Sequence, residues 1–451
     1  GYWTGGVEAD RDGSLHGLGR IILYAAIYTA VIPFASILGS MILGGNIVFG
    51  PIVAATFSLA LPSYYLSQVS PYCIRLATKK VAHAGKTSGK IYATSTLGSI
   101  VGTFLSGFIL IPHFKVTVII ELLAVFLFII SLYLTVGKTV LKLLDGGFIA
   151  SMLVIQLLWL PSPSAAAMPV NSTIVFDSDS AYNSVLVLDV ASNNASTYRL
   201  LRLGNLIQGG LNMESNDSLY EYIYFFQLPW LYNPKTKDIL FLGNGAGVGI
   251  NYLHSIYPDA EIDVVDIDPM VFEVAKEYFN ERQNPNIRFY TDDARMYLKK
   301  NEKKYDLIIM DVYGSTHEIP NHLVTQEMLS EVKADLKKDG IYLQEVVSAL
   351  DGDNSLLMKS VLKTTKTKFK NNKIIPLINS TDKRQTVILL SSDAEFSQNP
   401  DVKEYLKTVP TRLRQMMNQS INTYLLADYT LDCADAILLT DDFSPTEGLV
   451  R

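Results

Sequence analysis

Residues 238–269 read DILFLGNGAGVGINYLHSIYPDAEIDVVDIDP. An apolar run, Asp238–Leu242, enters a turn that carries Gly243, Gly245, Gly247 and Gly249. A second apolar run follows and ends at Asp266 and Asp268. Strand, glycine turn and helix, then a strand closing on an acid, is the layout of a nucleotide cradle. Missing side chains let a ligand approach the backbone. The strict dinucleotide spacing GxGxxG fails in both registers, because the sixth position is Val248 counted from Gly243 and Ile250 counted from Gly245. Taken alone, the glycines fit a tight strand-to-helix turn with no ligand equally well.

Downstream, IRFYT, YDLIIMDV and GIYLQEV are compact β-rich runs. Helical stretches separate the runs, such as Pro269–Phe279 and Thr325–Lys337. Strands alternating with helices imply a parallel sheet covered on both faces, whose ligands lie at the carboxyl ends of the strands. Asp266 ends the second strand, where its carboxylate can accept both hydroxyls of a ribose. Asp293 ends the third and can accept from an adenine amine, and Asp311 ends the fourth. Any one of them could be a helix cap. Three together, beside a glycine loop, suit adenosine carrying a positive sulfonium.

Upstream, STIVF, NSVLVLDV and STYRLLRL read as strands of a small antiparallel sheet, preceded by the proline and alanine linker PSPSAAAMPV. Before Pro161 the texture is different. The chain is 49% hydrophobic with a mean hydropathy of +0.20, and nearly all the excess lies in this first part. Four segments, Ile21–Leu43, Ile47–Val69, Ile91–Ile111 and Val116–Val136, have the length of about 20 residues that a bilayer crossing needs. A fifth, Gly146–Leu160, is short for a span. Gly98, Gly102 and Gly107 predict that the third helix packs inside a bundle. Glu121, the one acid in an apolar run, is expected near the interface, where it reaches water, with a paired role as the alternative. The chain begins at Gly1 without methionine, and GYWTGG reads as the tail of an earlier hydrophobic segment, so further residues are expected upstream.

Arg75, Lys79, Lys80, Lys86 and Lys90 occupy a loop without acids, which the positive-inside rule places in the cytoplasm. Two spans then return the chain inside, near Lys138 and Lys142. If the short fifth segment does not cross, the C-terminal part is cytoplasmic, where an adenosyl donor is available. The expected organisation is therefore a multi-pass domain of the cell (inner) membrane over 1–160, a linker and small β subdomain over 161–236, and an α/β domain over 237–451. A net charge of −6 argues against a nucleic-acid partner. Cys73 and Cys433 form no CxxC pair, and no metal site is expected.

Several stretches together resemble the spermidine synthase (polyamine aminopropyltransferase) family, in its bacterial branch fused to a membrane domain. They are LLRLGNLIQGG, LPWLYNPKTKDILFLGNGAGVG, VVDIDP, TDDARMYL, YDLIIMDVYGSTHEIPNHLVTQEML and KKDGIYLQ, together with GKIYATSTLGSIVGTFLSGFILIPHF and LLTDDFSPTE. The resemblance implies a Rossmann-like S-adenosylmethionine-binding domain behind a small N-terminal β-sheet. It implies S-adenosylmethionine or its decarboxylated form as substrate, a small-molecule amine as acceptor, and methylthioadenosine as product. Gly243, Gly245, Ala246 and Gly247 would form the donor loop, Gln208 and Asp266 would hold the ribose, and Ile267, Asp293 and Ala294 would flank the adenine. Asp311 would orient and deprotonate the amine, helped by Tyr313. Two copies could pair as a homodimer.

Four positions depart from the family. Its loop reads GGGDG where this chain has Ala246, its acceptor-binding acid falls on Gly314, and its Tyr-Gln pair falls on Glu221 and Tyr222. Losing an acid beside the propyl arm would relieve repulsion against undecarboxylated S-adenosylmethionine. The alternatives are therefore acceptor-free decomposition of that donor by a lyase, a methyltransferase, and a transporter or sensor regulated by the nucleotide.

Overall fold

A computed structural model describes residues 1–43, 49–78, 80–111, 114–136, 169, 171–191, 196–204, 206–281, 283–314, 319–396, 401–426 and 429–449. The apolar segment 146–160, the linker after it, and Lys79, Lys138 and Lys142 lie outside the described residues. Two compact units emerge, Gly1–Pro169 with Asp179–Ala181, and Val170–Ser178 with Tyr182–Arg451.

The first unit is helical: α1 (Tyr2–Arg11), α2 (Leu15–Leu43), α3 (Phe49–Ala77), α4 (Ala84–Leu105, continued by a wider turn to Leu110) and α5 (Val116–Val136). Four of its helices are long and apolar enough to cross a membrane, by length and composition. Leu18, Ile21 and Ile22 of α2 meet Tyr72 of α3 and Leu127, Ile130 and Leu134 of α5 in its core. Two expectations change here. Nothing among the described residues comes within 4 Å of a Cβ built at Gly98, Gly102 or Gly107, so their small-residue face has no described packing partner. Glu121 is 7% exposed and does not reach water. The reason is helical periodicity, since Glu121 shares the buried face of α5 with Ala124 and Ser131. That face turns toward α2, where the Ser131 hydroxyl donates to the Gly19 carbonyl at 2.7 Å.

The second unit opens with a four-stranded sheet, β1 (Ser172–Asp179), β2 (Ser184–Ala191), β3 (Thr197–Leu203) and β4 (Leu206–Asn212), in that order. The β2–β3 and β3–β4 pairs are antiparallel. A 3₁₀ segment, Glu221–Leu231, leads into the main sheet. Its strands are β5 (Asp238–Leu242), β6 (Glu261–Asp266), β7 (Ile287–Thr291), β8 (Tyr305–Met310), β9 (Leu336–Ser348), β10 (Asn371–Pro376) and β11 (Gln385–Ser392). Their order is β10-β11-β9-β8-β5-β6-β7. The run from β9 to β7 is parallel, and β11 and β10 add an antiparallel edge. This is the expected Rossmann-like α/β fold.

The central strands are apolar without alternation because both faces are covered. Ile239 and Phe241 of β5 enter one core, and Leu240 and Leu242 enter the other. Helices α6 (Val248–Ile256), α7 (Pro269–Tyr278), α8 (Ala294–Lys300) and α9 (Gln326–Asp335) connect the strands. The helix expected over Thr325–Lys337 is shorter. Thr325 is its cap, accepting from the Met328 amide, and Leu336 already belongs to β9. Lys337 is held there by the carboxylates of Asp238 and Asp306 at 2.6 and 2.9 Å.

Candidate active site

From β5 the chain moves outward to β6 and β7, then returns to the other side of β5 as β8. The crevice between β5 and β8 is therefore the topological switch point, where open α/β sheets bind ligands. The glycine loop leaves β5 on one side of it and Asp311 leaves β8 on the other. Gly243, with φ 94°, makes the two meet, since a Cβ there would collide with the Asp311 carbonyl. Gly247 (φ 69°) starts α6, and a Cβ there would fall 2.5 Å from Oε1 of Glu281.

A cavity of about 280 Å³ fills the crevice. It brings together Gln208, Gly243, Gly245, Asp266, Ile267, Asp293, Ala294, Asp311 and Tyr313 of the expected site. Ala246 and Gly247 are not among its lining residues. Ala246 instead packs with Val185, Val187 and Leu201 of the small sheet and with Val248, closing the gap between sheet and loop.

Each acid is positioned by backbone. Asp266 accepts the Asn244 amide on one oxygen and the Asp268 amide on the other, both at 2.9 Å. Burial nevertheless pushes its carboxyl up to about 6, and those amides limit the rise. Asp293 caps α8 by accepting from the Met296 amide at 2.9 Å. Its other oxygen lies 3.2 Å from Nε2 of His322. Gln208 on β4 donates to the Gly314 carbonyl at 3.1 Å and so ties the small sheet to the loop after β8.

Asp311 is likewise pushed up to about 6 by burial, against the pull of hydrogen bonds from Glu345 and Tyr222. The Tyr222 hydroxyl lies 3.5 Å from Oδ2 of Asp311. The Tyr313 hydroxyl, expected to assist Asp311, is engaged with β9. It donates to the Glu345 carbonyl at 3.2 Å and accepts from the Val347 amide at 2.9 Å. Tyr222 is thus the phenol beside Asp311.

Sequence reasoning did not single out Glu345, Asp268 or His322, and it noted Tyr222 only as a departure. Glu345 had a signal, as an acid between the apolar residues Ile341–Leu343 and Val346–Val347 of β9. Five carboxylates, Asp266, Asp268, Asp293, Asp311 and Glu345, line the cavity, and no lysine or arginine does so among the described residues.

One rim of the cavity, Pro320, His322 and Leu323, is held by the segment 440–446. Ser444 donates to the Asn321 carbonyl at 3.0 Å, and Thr446 to the Ile319 carbonyl at 3.2 Å. Arg295 on α8 anchors that segment with two 2.7 Å hydrogen bonds to Asp441, and it also grips Glu331 of α9.

Sheet order, glycine loop and strand-end acids define a Rossmann-like domain of the methyltransferase type. Residues 224–375 match the family described as "Spermine/spermidine synthase domain". A polyamine aminopropyltransferase from Vibrio vulnificus is 28% identical over 286 residues, covering 62% of this chain and 92% of that protein. Another, from Alkaliphilus metalliredigens, is 30% identical over 177 residues, covering 38% of this chain and 58% of the relative. A probable spermidine synthase from Corynebacterium glutamicum superposes with a TM-score of 0.45 at 20% identity, covering 53% of this chain and 87% of the other. The chain thus carries a stretch similar to the spermine/spermidine synthase domain over residues 224–375 and is an enzyme of the transferase type.

Proposed function

We propose that the α/β unit transfers an aminopropyl group from decarboxylated S-adenosylmethionine to a cationic amine and releases methylthioadenosine. One observation carries this reading, the cavity lined by five carboxylates with no lysine or arginine among its described residues. A sulfonium donor and an ammonium acceptor are both drawn to such a site. S-adenosylmethionine that keeps its carboxylate would bring an anion with no lysine or arginine among the described lining residues to pair it.

In this reading Gln208 and Asp266 hold the ribose. Asp293 accepts from the adenine amine, with Ile267 and Ala294 beside the ring and Gly243, Gly245 and Gly247 shaping the loop. Asp311 takes a proton from the acceptor ammonium, because the nitrogen cannot attack while its lone pair is occupied. The freed lone pair forms the new C–N bond as the C–S bond breaks, and sulfur keeps the electron pair as a neutral thioether. Aligning nitrogen, carbon and sulfur supplies much of the remaining acceleration.

The test incubates purified protein with each donor, with and without putrescine, and identifies the nucleoside. Methylthioadenosine formed only from decarboxylated donor plus putrescine is the expected result. Methylthioadenosine from S-adenosylmethionine alone would replace this reading with the lyase. S-adenosylhomocysteine would replace it with a methyltransferase, and donor binding without product with a regulated transporter or sensor. A second part of the reading is an anchor in the inner membrane, which four apolar helices support by length and composition, with the α/β unit on the cytoplasmic side, for which the basic loop 75–90 and the supply of the donor speak.

A further inference from the structure

Two of the cavity's acids come from adjacent strands. β8 and β9 are parallel with Met310 opposite Gln344, so the next residue of each strand, Asp311 and Glu345, stands beside the other. Both line the cavity, and their carboxyls are within hydrogen-bonding reach. Glu345 is 4% exposed, and its Oε1 accepts the Thr386 hydroxyl of β11 at 3.0 Å. The titratable groups facing the pair are Tyr220 and Tyr222 from the 3₁₀ segment and Tyr313 from the loop after β8, while Arg384 acts on Tyr313. No lysine or arginine among the described residues lines the cavity beside them.

Two ionised carboxylates cannot sit together in so dry a site without strong repulsion. One proton between them removes the repulsion and leaves one member charged. We propose that Glu345 is the member that holds it, a positioning residue that donates a hydrogen bond to the Asp311 carboxylate and keeps it ionised and aimed at the acceptor amine. The direction of titration agrees. Burial and the Asp311 charge push the Glu345 carboxyl well above its ordinary range, while the bond from Glu345 pulls Asp311 down, so Asp311 ionises first.

The inference rests on the reading of Asp311 as base. During transfer the Glu345 proton stays in place. The ammonium proton moves to Asp311, and it leaves to solvent after the product does.

Glu345→Gln keeps a donor toward Asp311 without an ionisable proton, whereas Glu345→Leu removes the donor. Near pH 7, subtracting the infrared spectrum of Glu345→Gln from that of the parent full chain, both without substrate, should cancel the band of Glu281 and leave a positive protonated-carboxyl band. In the pH profile of kcat/KM, Glu345→Gln should keep the acid limb near that of the parent. Glu345→Leu should move the limb up by about one pH unit, costing about twofold in rate at pH 7 and about tenfold at pH 5, with the donor KM unchanged. A parent-minus-variant spectrum without that band overturns the proposal, and so does an unmoved limb in Glu345→Leu. If the parent enzyme forms no nucleoside product, the base reading fails by itself, and the infrared band still decides where the proton sits.

Discussion

Asp311 has no lysine or arginine beside it in the cavity among the described residues, and hydrogen bonds from Glu345 and Tyr222 favour its charged form. Replacing it with Asn preserves shape and removes the base, so turnover should fall by about 10²–10⁴-fold while donor affinity measured by calorimetry holds. The pH profile has a definite sign. A carboxyl raised to about 6 is protonated below that pH and cannot accept the ammonium proton, so kcat/KM should decline as pH drops through about 6. An acid limb near pH 4 instead would mean that Asp311 is not the group being titrated. Glu281, beneath the glycine loop, is another buried acid, 5% exposed, with no hydrogen-bond partner for its Oε1 among the described residues. Burial raises it to about 8 from an ordinary 4.5, so the folded state holds a proton that the unfolded chain releases. Stability from this group is complete below about pH 4.5 and is lost as pH rises toward 8. Glu281→Gln should therefore stabilise the protein by about 3 kcal/mol at pH 8.5 and little at pH 4.5, as read by chemical denaturation.

Among the elements, the turn after β5 is the most constrained. Gly243→Ala would force a side chain into a left-handed backbone and against the Asp311 carbonyl. The expected loss is about 2–4 kcal/mol of stability, together with donor binding, and a circular-dichroism melt beside calorimetry would measure both. The clamp on the cavity rim gives a different signature. Arg295→Met breaks the grip on Asp441 and Glu331, and should cost about 3 kcal/mol and raise the donor KM more than it lowers kcat. How far these elements could be read from the sequence follows from their burial. Strands β5 and β8 stand out because both their faces are covered, leaving unbroken apolar runs such as Ile239–Leu242. β10 starts with Asn371, Asn372 and Lys373, and β11 follows a polar turn, so neither looked like part of a parallel sheet. Asp266 and Asp311 were legible because each closes an apolar run. Glu345 was not, because only the β8–β9 register brings it beside Asp311, and that pairing joins residues 34 positions apart. The small-residue face of α4 misled for the opposite reason. Glycine spacing tells where a helix can be approached, and it does not supply the partner.

At the scale of the whole molecule, the helical unit and the α/β unit call for different measurements. If the apolar helices cross a bilayer, the chain should stay with membranes through alkaline carbonate washing. A Ser178→Cys variant without Cys73 and Cys433 should resist an impermeant thiol reagent in intact cells and react after lysis; labelling from outside would reverse the assigned side. The acid-lined cavity also bears on the direction of the catalytic cycle. In the proposed reaction the nucleoside arrives as a sulfonium cation and departs as an uncharged thioether. The field that draws it in therefore stops holding it once the C–S bond has broken. Discharge of the donor would act as its own release signal, and the vacated field would favour the next cation over the spent nucleoside. Added salt should then depress kcat/KM for the donor steeply while scarcely changing inhibition by methylthioadenosine.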